Sequence, residues 1–147
     1  MAKKAGKLLT IFIIGGLVYG FMEILNRGFT HITMGILGGI CFLVIHLLNE
    51  ERLKENISFA VVIFISGAFI TSIEFFSGEL LNNLLKMNIW SYSEVPLNID
   101  GQICLLFSLI WFLVALFGVA ADLFIRRYIF RDLVQKTIVL KKSQITT

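Results

Sequence analysis

Charge is what this sequence has least of: 16% of its 147 residues are Asp, Glu, Lys or Arg, against roughly 25% in an ordinary soluble domain. A water-soluble surface cannot be built from so few charges when 57% of the chain is hydrophobic. Cysteine is scarce too. Cys41 and Cys104 both lie inside apolar runs, offer neither a disulfide framework nor paired metal-ligand spacing, and read as small packing residues. The one proline, Pro96, stands outside every long apolar run. No G-x-x-x-x-G-K-[ST] loop is present, so the chain cannot drive itself with ATP in the usual way. There is no H-E-x-x-H, C-x-x-C or G-x-S-x-G either, and no nucleotide, metal or nucleophile motif argues for an enzyme or a cofactor.

What the chain does have is long apolar runs, each near the ~20 residues that cross a hydrocarbon core. They place spans at about 8–26, 29–48, 57–76 and 103–125. The segment 77–102 is too polar to cross lipid as a whole, Asn49–Asn56 reads as a short charged turn, and 126–147 forms a basic tail. The Lys-rich start is read as the lead of a first span rather than a cleaved signal, because no small-x-small site follows and a second span begins almost at once. The fold expected is an all-α membrane protein, a bundle of four transmembrane helices in two hairpins. Basic residues set the orientation. Lys3, Lys4, Lys7, Arg52, Lys54, Arg126, Arg127, Arg131, Lys136, Lys141 and Lys142 fall on one side, while only Arg27 and Lys86 fall on the other. Both ends are therefore expected in the cytoplasm. Basic ends that directly flank apolar spans point to anionic lipid rather than nucleic acid.

Two flanking segments have amphipathic spacing. In Gly78–Met87, Leu80, Leu81, Leu84 and Leu85 recur at helical intervals opposite Glu79, Asn82, Asn83 and Lys86, as an outer interfacial helix or an overhang of the third span would. The tail from Arg126 alternates basic and apolar positions in the same way.

One stripe occurs twice. Gly16, Gly20 and Glu23 are spaced i, i+4, i+7 on one helix face, and Gly67, Thr71 and Glu74 repeat that spacing in the third span. Internal duplication is one reading of this echo. Small residues let helices approach closely, so Gly16, Gly20, Gly35, Gly39 and Gly67 are the expected packing positions. Glu23 and Glu74 sit at matching depth near the outer edge of the hydrocarbon. Two readings stay open for them: snorkelling or local pairing with Arg27 one turn on, or a site for a proton, a cation or a basic ligand group. Arg27, His31, Asn82, Trp90, Tyr92 and Asp100 converge on the same level and complete the candidate ligand set. For His31, Trp90 and Tyr92, interfacial anchoring is the alternative. Asp122 is expected to pair with Arg126, one turn away.

Several of these pieces resemble a known family of bacterial membrane proteins, described as ABC-transporter type IV or CmpB-like. They are Asn26-Arg27-Gly28-Phe29, Thr30-His31 with the glycine-rich second span, Glu74-Phe75 followed by Gly78, Asn82, Trp90-Ser91-Tyr92-Ser93, Gly101-Gln102-Ile103-Cys104 and Trp111. Where the family commonly reads W-D-Y-S, this chain has Ser91. The resemblance implies a bacterial plasma membrane and a transport-related role, and names no substrate or catalytic residue. Four short helices enclose little space, so a pathway would need further copies of the chain or other membrane subunits, and an ATP-driven one a separate ATPase subunit. An accessory, scaffolding or lipid-sensing protein is the second reading, and an enzyme acting on envelope lipids at the outer face the third.

Overall fold

The computed structural model describes residues 2–131; the rest of the basic tail, with Lys136, Lys141 and Lys142, lies outside the described residues. Four helices carry the fold: α1 (Ala2–Arg27), α2 (Ile32–Glu55), α3 (Phe59–Gly78) and α4 (Leu105–Tyr128). All four are long and apolar enough to cross a membrane. A 24-residue helix such as α2 reaches about 36 Å at 1.5 Å per residue, enough for a hydrocarbon core of about 30 Å. Leu17, Phe64 and Phe117 are each at least 66% exposed, an outward apolar surface suited to lipid rather than water.

Two boundaries differ from the sequence reading. The charged stretch from Asn49 is not a turn: α2 continues through it to Glu55 and stops only at Asn56, whose φ of 54° ends the helix in the left-handed region. The physical reason is local charge order. Lys54 pairs with Glu50 at 2.9 Å and with Glu51 at 2.8 Å, one turn back on the same face. Beyond α3 the helix runs without a break into a π-helical turn, Glu79–Leu84, so the segment is an overhang of the third span. A two-residue antiparallel hairpin, β1 (Asn98–Ile99) with β2 (Ile103–Cys104), then leads into α4. Sequence reading did not anticipate it.

The helices pair as α1 with α2 and α3 with α4, and α2 joins the pairs by touching both α3 and α4. Glycine sets how closely they approach. A Cβ on Gly16 would stand 2.6 Å from the Gly35 carbonyl oxygen, and one on Gly39 2.8 Å from that of Phe12, so α1 and α2 meet backbone to backbone. Gly67 instead receives the Phe112 ring of α4. Gly20 is buried but faces only the Thr30 side chain, 3.7 Å from where its Cβ would be. Ile45, Val62, Ile70, Ala115 and Val119 form the core where α2, α3 and α4 meet. Helix α1 stands apart from that core, which leaves a groove between α1 and α4.

Candidate functional site

The end of the bundle expected to face outward is tied together by polar side chains that helix ends and the 85–104 loop bring to one level. Glu23, near the end of α1, accepts from Arg27 Nη2 at 2.8 Å and from Thr30 Oγ1 at 2.9 Å. Arg27 also donates through Nη1 to the Ile89 carbonyl at 2.8 Å, which fastens α1 to the loop. His31 caps α2: its Nδ1 accepts from the Thr33 amide. Asn82 is buried within the helical overhang, donating to Gln102 Oε1 at 2.9 Å and accepting from the Ile89 amide at 2.7 Å. Trp90 donates to the Gln102 carbonyl at 3.1 Å. Asp100 is exposed at the tip of the hairpin with φ of 50°, and its side chain joins none of this.

Glu74 has different company. Tyr92 donates its hydroxyl to Oε1 at 2.9 Å, and Trp111 donates Nε1–H to Oε2 at 2.5 Å. The Tyr92 ring stacks on Phe107 at 4.8 Å, which fixes the phenol in place. Burial pushes the Tyr92 phenol well above its ordinary value, and the Glu74 charge pushes it further, so the group stays a donor. The sequence reading grouped Glu23 and Glu74 by depth. The structure gives them separate hydrogen-bond partners, with Glu23 in a local ion pair and Glu74 facing an internal space.

That space is the groove between the hairpins, about 420 Å³ in volume. Tyr19, Glu74, Trp90 and Trp111 line its outer end. Apolar side chains of all four helices make the rest, down to Ile45 and Ile125. Tyr19 of α1 and Trp111 of α4 approach to 6.2 Å between ring centroids and bridge the two walls. Val18 and Met22, both about half exposed, form the lip on α1.

A second polar cluster lies at the opposite end, between α2 and α4. Asp122 accepts from His46 Nδ1 at 2.5 Å, from Asn49 Nδ2 at 2.6 Å and from Arg126 Nε at 2.8 Å. Arg126 Nη2 also donates to the His46 carbonyl at 2.8 Å, and Arg52 donates to Asn49 Oδ1 at 2.8 Å. His46, Asn49, Asp122 and Arg126 are all at most 5% exposed. Nδ1 of His46 lies against the Asp122 carboxylate and donates to it. The Asp122–Arg126 pair was legible from its i, i+4 spacing, but the partners from α2 were not. The available signal was His46 and Asn49 three residues apart on one face, at the same end of the bundle as Asp122. Tyr19 was missed as a site residue for a plainer reason: a Tyr inside an apolar span looks ordinary until the chain folds over it.

A family model described as "Putative ABC-transporter type IV" matches residues 9–143, and the chain belongs to that family. No curated protein matches the chain, and no solved structure does.

Proposed function

From that membership, we propose that the chain is the membrane-embedded component of a transport system in a bacterial plasma membrane, a permease-like subunit or a small homo-oligomeric carrier. The observation that carries this reading is the groove between α1 and α4, an apolar space with one acid, Glu74, at its outer end. On this reading it is not an enzyme: both oxygens of Glu74 accept hydrogen bonds, from Tyr92 and Trp111. Both termini lie in the cytoplasm, with the basic tail against anionic lipid. Any ATP-driven step belongs to a separate ATPase subunit, since the sequence has no phosphate-binding loop of its own.

The accessory reading has one observation in its favour. The inner His46–Asn49–Asp122–Arg126 cluster is internally satisfied and clamps α2 to α4, as a rigid scaffold would require. Blocking the groove separates the two. Val114 lines it, whereas Leu113, 57% exposed, is not among the residues that do. In a deletion strain scored for growth and envelope integrity, Val114→Trp should fail to complement while Leu113→Trp complements, both at wild-type membrane levels. Full complementation by Val114→Trp would remove the groove from the function and leave the accessory reading.

A further inference from the structure

Among the described residues, the acid at the outer end of the groove has no cation to meet it. Glu23, near the end of α1, and Asp122, in α4, each hold an arginine, Arg27 and Arg126 respectively. Glu74 is held by two neutral donors, and among the described residues it forms no ion pair. An ionised carboxylate against apolar walls is costly until something neutralises it. The rings around it fit one kind of neutralising group. Tyr19, Trp90 and Trp111 line the same end of the groove, and Tyr92 touches the carboxylate itself. Both tryptophans of the chain and two of its three tyrosines thus line that end of the groove or touch its carboxylate. Ring faces attract a cation by their quadrupole, and a set of them around an acid recognises ammonium-type groups. Below that end the wall is almost wholly apolar, from Met34 and Leu37 down to Ile45 and Ile125.

We propose that this groove binds lipophilic organic cations, the charged head against Glu74 within Tyr19, Trp90 and Trp111, the apolar body along the aliphatic wall toward Ile125. The proposal rests on the reading of the groove as the ligand site and names what enters it. A hard metal cation is a poor fit, because Ca²⁺ or Mg²⁺ needs six or more oxygen ligands and the groove offers one carboxylate among rings and aliphatic groups. A fatty acid or other anionic amphiphile would meet a charge of its own sign. A neutral apolar molecule would leave the carboxylate unmatched.

Both tryptophans border the proposed head-group site, so intrinsic fluorescence reports on it directly. The full chain would be placed in nanodiscs of zwitterionic phosphatidylcholine and titrated with tetraphenylphosphonium. Tetraphenylborate, with the same shape and the opposite charge, would be titrated in parallel. The phosphonium should change the tryptophan emission saturably, while the borate gives only the non-saturating response of partition into lipid. Glu74→Gln should weaken phosphonium binding about tenfold or more. Glu23→Gln should bind nearly as wild type, since Arg27 already answers that charge. A saturable borate response equal to that of the phosphonium would overturn the proposal, as would wild-type affinity in Glu74→Gln. If Glu74→Gln does not purify folded, the two-probe comparison on the wild-type chain decides alone. The outcome is separable from that of the blocked groove: no phosphonium binding, with Val114→Trp still inactive in cells, removes the cation and keeps the groove.

Discussion

At the scale of single residues, the inner cluster shows how far one side chain organises its surroundings. Asp122 is fully buried and takes hydrogen bonds from His46, Asn49 and Arg126. Asp122→Asn keeps the shape but removes the charge, which strands a buried guanidinium. Losing one partner of a buried pair costs about 3–5 kcal/mol, so the variant should show a clearly lower thermal midpoint in detergent. Asp100→Asn, at an exposed hairpin tip that Asn tolerates equally, should unfold as wild type. Equal midpoints for the two would mean the cluster does not hold α2 to α4. Tyr92 supplies a pH-dependent counterpart at the outer end. Its phenol is raised by burial and then by Glu74, so the native state keeps a proton that the unfolded chain loses first. Its contribution is complete below the ordinary phenol value of about 10 and falls as pH rises above it. Tyr92→Phe should therefore unfold with a shallower alkaline loss of stability than wild type. Identical alkaline limbs would count against that assignment.

At the scale of elements, the four spans were legible because apolar runs of this length have one use, and their existence does not depend on tertiary contacts. What stayed hidden was set by which side chains pair, near in sequence or far. The end of α2 depended on Lys54 reaching back to Glu50 and Glu51, and the burial of Asn82 on Gln102, twenty residues away. Spacing alone makes the small-residue stripe one face of equivalent positions, yet its members do different jobs. Gly16 lies against the Gly35 carbonyl and Gly20 against a flexible Thr30 side chain. Gly16→Ala puts a methyl group where backbone stands, forces α1 and α2 apart, and should destabilise by about 1–3 kcal/mol. Gly20→Ala meets only ordinary contact and gains helix propensity of up to about 1 kcal/mol, so it should be neutral or stabilising. Thermal denaturation of both in one detergent checks this, and equal losses would mean that stripe membership, not local clearance, sets the cost.

At the scale of the whole molecule, the two hairpins are fastened at opposite ends by different means. The inner end is locked by Asp122 and its donors between α2 and α4, while at the outer end Arg27 reaches from α1 to the loop at Ile89. Between those ties α1 and α4 stay apart, so the groove is a consequence of how the hairpins are joined. On the proposed orientation, the end of α2 that carries Arg52 and Lys54 faces the cytoplasm and Ser91 sits in the opposite loop. Single cysteines at Glu51 and at Ser91, both exposed, test this in a background with Cys41→Ala and Cys104→Ala. On intact cells an impermeant maleimide should label the Ser91 position, and the Glu51 position should label only after permeabilisation. The reverse pattern would invert the orientation and turn the Glu74 end of the groove toward the cytoplasm. Labelling of both positions on intact cells would go deeper, because α3 joins them, and a single span cannot leave its two ends on one side.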